Sequence, residues 1–372
     1  MSKSKFIPIS EPSMDHTELE YVTDCMKSGW VSSLGKYIPE FEEKFAHFSD
    51  CKYGVSVFNG TVSLHLALVA LGIGSGDEVI VPTLTFVATA NSVLYTRATP
   101  VFVDSETETW NMDPKDIERK ITSKTKAIIA VHLYGHPANM GEIMKLAKKH
   151  KLFVIEDAAE AHGAKYKNNK VGSMGDVGCF SFYGNKIITT GEGGIIVSNN
   201  KKLSEKMRFL KDHAMSKTIK YFHPSLGYNY RMTNIQAALG VAQMKKIDKF
   251  IKRKREIALI YSEHLKNVPG LELQPQAKWA HAVYWMYSIL IKPECGVTRD
   301  ELATLIKKRG IDSRPFFIPN NKMPYFSKNV QKQKFPVAEM LSVQGMNLPS
   351  SVLLSNEDVI FIAKNIKDIL NK

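Results

Sequence analysis

Between residues 78 and 198, short runs rich in valine and isoleucine alternate with helical stretches. No other feature of the chain narrows the possible folds as much. The runs are Glu78–Pro82, 100–104, 127–132 and 152–157. One intervening stretch opens at Asp113-Pro114, a capping aspartate followed by proline at the first helical position; another covers Met140–His150. Strands separated by helices of this length predict βαβ units and a parallel sheet. Upstream, 54–58 reads as a strand and 61–71 as a helix ended by glycines, while Ile38, Phe41, Phe45 and Phe48 mark one face of an earlier helix. Downstream, 179–183 and Gly194–Ser198 add two strands, joined by a loop that carries Lys186. Residues 245–265 read as a long helix leading out of this region. Beyond it come a strand-like 284–291 and helices over Arg299–Lys308 and Asn356–Leu370. The expected architecture is α/β, with a mostly parallel sheet flanked by helices over residues 1–248 and a smaller α+β domain over 249–372. A chain of 372 residues suits two domains.

Composition closes off several classes. With 44% hydrophobic and 23% charged residues, the chain is neither disordered nor fibrous. The longest apolar stretch, 79–93, is broken by Pro82, threonines and Asn91, so no membrane span is expected. Residues 1–10 carry lysines with no apolar segment behind them, unlike a secretory signal. Cys25, Cys51, Cys179 and Cys295 form no CxxC pair, which suits a reducing, cytoplasmic setting. The charge of +13 is the unusual quantity. Its densest cluster, 245–255, falls in a helical pattern whose apolar stripe runs through Val241, Met244, Ile247, Ile251, Ala258, Tyr261 and Leu265. The lysines are therefore expected on a solvated face. No nucleic-acid-binding motif accompanies them, and no nucleic-acid partner is expected.

Some motifs fail on context. The glycine-rich 72–77 follows a helix and precedes a strand, the reverse of a dinucleotide fingerprint, and reads as a helix end and turn. His132 and His136 are separated by Gly135 and followed by Pro137, so no helical metal site is expected. No GxSxG elbow is present.

Three segments do carry chemistry. Asn59-Gly60-Thr61 opens a helix after a strand, where free amides, the helix dipole and a close-approach glycine make a phosphate site; Thr61 is equally an ordinary cap residue. The run Val154-Ile155-Glu156-Asp157 ends a buried strand in two acids, at the sheet edge where α/β proteins hold ligands; Asp157 could equally cap a turn. Lys186, between apolar strands and glycine turns, is a lysine whose desolvation would free a nucleophilic amine near neutrality. A phosphate site, an aspartate at a strand end and a desolvated lysine together meet the needs of pyridoxal 5′-phosphate (PLP).

The chain resembles the DegT/DnrJ/StrS family of PLP-dependent sugar aminotransferases, which have the fold type I, aspartate aminotransferase-like architecture. The resemblance rests on Asn59-Gly60-Thr61, Asp77-Glu78-Val79-Ile80-Val81-Pro82, the segment from Glu156 to Gly163, Gly191-Glu192-Gly193-Gly194, and the segment from Gly227 to Thr233. It implies that Lys186 forms the Schiff base with the cofactor and Asp157 partners the pyridine nitrogen. Phe86 would stack on the ring, Gly60, Thr61 and Ser181 would hold the phosphate, and Glu160 would lie near the ring hydroxyl. Asn229 would reach the phosphate from the other subunit of a homodimer. Trp30, Tyr183, Arg231 and Arg314 are candidates for substrate contact. Family members that deoxygenate sugars carry histidine at the lysine position, so Lys186 favours transamination. The implied reaction moves an amino group from L-glutamate to the ketone of a nucleotide-linked 4-keto-6-deoxy sugar, in cell-surface polysaccharide biosynthesis. Alternatives are another ketone, including a small phosphorylated one such as dihydroxyacetone phosphate, or a non-enzymatic nucleic-acid-binding regulator on the same fold.

Overall fold

A computed structural model describes residues 6–371. The helix Gly60–Ala70 is buried on nearly every side, with Leu64, His65, Leu66, Ala67 and Leu68 all inside. A helix apolar all round belongs in the middle of a domain, and this one packs between the sheet and the neighbouring helix Ala88–Tyr95. Asn59 starts it, its side chain accepting the Val62 amide at 3.0 Å.

The large sheet has seven strands: β1 (Tyr53–Val57), β2 (Glu78–Pro82), β3 (Thr99–Val103), β4 (Thr125–Val131), β5 (Phe153–Asp157), β6 (Val177–Ser181) and β7 (Gly194–Ser198). Their order is β1-β7-β6-β5-β4-β2-β3. The pairs from β3 through β2, β4 and β5 to β6 are parallel, and β7 is antiparallel to both β1 and β6. Helices cover both faces, which is why β4 reads as an almost continuous apolar run. The α/β expectation with a mostly parallel sheet is met.

A second sheet is built from β8 (Leu271–Leu273), β9 (Tyr287–Ile291), β10 (Arg314–Pro315) and β11 (Gly345–Leu348), ordered β8-β9-β11-β10 with antiparallel pairings. Its core joins Tyr287, Ile289, Met346 and Leu348 to the helices Arg299–Lys308 and Asn356–Leu370. The N-terminal segment also belongs to this core: Ile7 is buried there and bridges Ile311.

Two expectations need correction. The strand expected at 284–291 begins at Tyr287, because Tyr284 turns the chain with φ 51°. The helix expected over 245–265 is present as Ile247–Leu265, but the apolar stripe drawn from Val241 is not continuous: Val241 and Met244 belong to a separate helix, Asn234–Met244, with a break at Lys245 and Lys246. The longer one spans both cores, through Ile247 and Phe250 in the first and Ile257, Tyr261 and Leu265 in the second. Its lysines are not all solvated. Lys254 occupies the inward stripe and is buried, in the very gap between Ile251 and Ala258 that the apolar pattern left open.

Candidate active site

Parallel strands end on one edge, and the register brings their last residues level there. Val131 pairs with Asp157, and Asp157 with Cys179. Beside them stand Ser181, at the end of β6, and the start of the Gly60–Ala70 helix, which β1 delivers through Asn59. These residues line a cavity of about 470 Å³. Its walls also carry Gly60, Thr61, Phe86, Glu160, Tyr183, Lys186 and Arg314. The strand-end location follows the general rule for ligand sites in α/β sheets.

Alternation along β5 sends its two terminal acids to opposite sides. Glu156 is fully buried and accepts amides from Gly172, Met174 and Gly175, each at 2.7 Å. It also meets His132 Nε2 at 3.1 Å. His132 Nδ1 accepts the Ala138 amide at 3.0 Å, which leaves the proton on Nε2 to be donated to Glu156. That carboxylate is spent on holding a loop. Asp157 faces the cavity, where Thr89 Oγ1 donates to its Oδ2 at 2.8 Å. Burial pushes its carboxyl up, opposed by the Thr89 hydrogen bond and the Lys186 charge.

Lys186 follows β6 in a turn closed by its own amide on Tyr183 O at 2.9 Å. Its Nζ stands 3.8 Å from Glu160 Oε1 and 4.0 Å from the centroid of the Trp285 ring. Burial pulls its ammonium down, while Glu160 and Asp157 support the charged form. Burial likewise pushes Glu160 up to about 7, against the pull of Lys186. Its other oxygen accepts the Tyr134 amide at 2.8 Å. An amine and a carboxyl that both titrate towards neutrality, side by side in a cavity, can exchange a proton at little cost.

At the other end the first helical amides, at Gly60 and Thr61, have no intrahelical acceptor and point along the positive end of the dipole. A Cβ on Gly60 would lie 2.8 Å from Ser181 Cβ, so only glycine lets the helix start approach β6 this closely. Phe86 is 56% exposed, a large aromatic face turned into the cavity. An anion cradle, an aromatic face, a buried carboxylate braced by a hydroxyl, and a desolvated lysine in one cavity fit a phosphorylated pyridine aldehyde. Gly60, Thr61 and Ser181 would hold the phosphate of PLP, Phe86 and Asp157 its ring, and Lys186 its aldehyde.

Three residues singled out from the sequence lie outside this cavity. Asn229 is exposed and bridges Asp212. Arg231 pairs with the Asp212 carboxylate. Trp30 is 55% exposed, its carbonyl accepting Asn234 Nδ2 at 2.7 Å. Other contributors went unseen in the sequence. Thr89 lies three residues past Phe86 in an undistinguished helix start. Tyr134 and Trp285 arrive from distant segments and bear no local mark, while Phe317 stands three residues after the candidate Arg314. Among the described residues there is no cluster able to hold a metal ion, and no helix is long and apolar enough to cross a membrane.

Comparison with known proteins gives the chain a family. Residues 12–367 match the DegT/DnrJ/EryC1/StrS aminotransferase family. The chain is similar to the GDP-perosamine synthase of Escherichia coli O157:H7, with 50% identity over 98% of both chains. It is 45% identical to the GDP-perosamine synthase of Vibrio cholerae, over 98% of this chain and 99% of that one. Among solved structures it resembles Helicobacter pylori PseC, an aminotransferase involved in the biosynthesis of pseudoaminic acid. That match has a TM-score of 0.93 and 30% identity, covering 99% of this chain and 100% of the other.

Proposed function

The chain belongs to the DegT/DnrJ/EryC1/StrS aminotransferase family and is a PLP-dependent transaminase; from that premise we propose that it moves the amino group of L-glutamate onto C4 of GDP-4-keto-6-deoxymannose. The observation that carries the substrate is the 50% identity, over nearly the whole of both chains, to a GDP-perosamine synthase. A cavity of about 470 Å³ that opens to the surface suits a ligand whose nucleotide extends outward from the reacting sugar.

When bound, PLP supplies the carrier for the amino group and a ring that takes up electrons from the reacting carbon. The protein's own groups do the rest. Lys186 Nζ accepts the proton from the donor's α-carbon and returns one to the sugar C4, a task that burial favours by pulling its ammonium below the ordinary lysine value. Asp157, oriented by Thr89, would favour positive charge on the cofactor's ring nitrogen. Glu160 lies within reach of the lysine proton and is itself fixed by the Tyr134 amide. Arg314 offers a cation to the anionic groups of either substrate.

The reading includes a homodimer in which Asn229 of one subunit completes the phosphate end of the other's cavity. Its support is the placement of Asn229 outside its own cavity, on a segment whose Ile219, Tyr221, Phe222 and Leu226 are exposed. It also includes a cytoplasmic address in polysaccharide biosynthesis, supported by four buried free cysteines.

The test is to combine purified protein, PLP, L-glutamate and GDP-4-keto-6-deoxymannose. Equal amounts of 2-oxoglutarate and a GDP-linked amino sugar are expected. Turnover only with a dTDP- or UDP-linked keto sugar, or with dihydroxyacetone phosphate, would reject the GDP sugar. Lys186→Ala should lose the visible chromophore that borohydride traps on the protein.

A further inference from the structure

Lys254 is buried, with 3% of its surface exposed, and among the described residues no carboxylate stands within ion-pair distance of it. Its Nζ donates instead to two main-chain carbonyls, Trp285 O at 2.8 Å and Ser350 O at 2.6 Å. The acceptors lie two residues outside small-sheet strands, before Tyr287–Ile291 and after Gly345–Leu348, where the ladder no longer supplies donors, and buried carbonyls need partners. A lysine is an expensive donor for that purpose, since burial alone pulls its ammonium down to about 7. Its cost directs attention to what it holds.

Trp285 is the wall beside Lys186. Its indole N–H donates to Asn185 O at 2.7 Å, fixing the peptide that immediately precedes the lysine. Its ring centroid lies 4.0 Å from Lys186 Nζ. The Trp285 main chain is packed so tightly against the loop at Gly135 that a Cβ there would approach Trp285 N to 2.8 Å. Lys254 closes the remaining side, and both lysines border one small void of about 10 Å³ behind the turn.

We propose that Lys254 is a positioning residue for Lys186, acting through Trp285: by clamping the Trp285 carbonyl it fixes the indole that holds the Asn185 peptide and flanks the reactive amine. The inference deepens the proposed function and rests on Lys186 being the amine that bonds the cofactor. A displacement of the amine of even about 1 Å is enough to cost on the order of 10²-fold in rate. Moving the ring away also removes a group that favours the cation, so the lysine should titrate lower.

The experiment compares wild type, Lys254→Met, Trp285→Phe and the double variant, all as holoenzyme, with Lys186→Ala as reference. Read first is the pH midpoint of the visible absorbance, then kcat and KM, then the melting temperature. Lys254→Met is expected to shift the midpoint by about one pH unit and to lower kcat on the order of 10²-fold, with KM for the nucleotide sugar little changed. Trp285→Phe, which keeps a ring but loses the N–H, should move the midpoint in the same direction. Adding Lys254→Met to it should change little more. A Lys254→Met protein with a lower melting temperature but a wild-type midpoint and kcat would overturn the proposal, and so would additive effects in the double variant. Should Lys254→Met not fold, Lys254→Gln takes its place in the same cycle. A wild-type protein with no borohydride-trapped chromophore would refute the lysine assignment itself, a different failure from that of the clamp.

Discussion

Glu160→Gln removes the charge beside Lys186 and keeps nearly the same shape, so its effect is electrostatic. The two groups are 3.8 Å apart. At an effective dielectric of about 20, a full charge at that distance is worth about 4 kcal/mol, or about three pH units on the lysine. Burial has pushed Glu160 up to about 7, so near neutrality only a fraction of the molecules carry the charge. The working expectation is therefore a fall of about one to two units for Lys186. The sign is set by the lysine's surroundings: burial already lowers it, and Glu160 is the largest influence raising it again. The assay is PLP uptake by the apoenzyme, followed by visible absorbance across pH, because only the neutral amine attacks the aldehyde. The midpoint of the rate profile should move down by about one to two units, with equal rates well above both midpoints. An unmoved or raised midpoint, in a variant that melts like wild type, would refute the argument that Glu160 sustains the ammonium.

Other substitutions probe the remaining walls. Gly60→Ala places a methyl 2.8 Å from Ser181 Cβ; it should cost about 1–3 kcal/mol in urea unfolding and weaken PLP binding in an absorbance titration. Thr89→Val deletes the donor to Asp157. A hydrogen bond to a charged group is worth about 1.5–3 kcal/mol, so the acid limb of the kcat profile should move up by about one to two units. His162, ringed by Phe45, Phe180 and Phe182, is pushed down to about 3 by burial, with the Lys186 charge adding to the effect. A depressed histidine leaves stability intact above the ordinary value of about 6.5 and loses it as pH falls towards the folded value. On this account about 2–3 kcal/mol is gone by about pH 4.5. His162→Leu should flatten that limb in denaturant melts, and an unchanged slope would show that other groups govern acid unfolding.

The parts of the site legible in the sequence were those with a local cause. Asp157 ends an apolar run, Gly60 sits between a strand and a helix, and Lys186 lies among glycine turns; each signal fits within about ten residues. Periodicity likewise gave the parallel strands, because burial on both faces writes itself as an unbroken apolar run. What stayed hidden depended on distant packing. Trp285 comes to the cavity from the small-sheet region, and nothing beside it in the chain marks that destination. The stripe of the long helix held a clue that composition obscured. Its gap at 254 was filled by a lysine, and a lysine in a basic cluster reads as solvated. Glu156 and Asp157 were a pair in the sequence but are not a pair in space, since adjacent strand residues face opposite ways.

The docking of Ile7 and Ile9 bears on how the chain matures. Ile7 N donates to Gly310 O at 2.8 Å, Asp312 N returns a bond to Ile7 O at 2.9 Å, and Ile9 N reaches Asp312 Oδ2 across 303 residues of sequence. During synthesis at about 5–20 residues per second, this segment therefore waits on the order of 15–60 s for its acceptors to leave the ribosome. Until residues 310–312 emerge, the strand Leu271–Leu273 and the helix Arg299–Lys308 lack that end of their core. The large sheet can close early, while the small one is finished only when Ile7 and Ile9 meet the segment around Gly310 and Asp312.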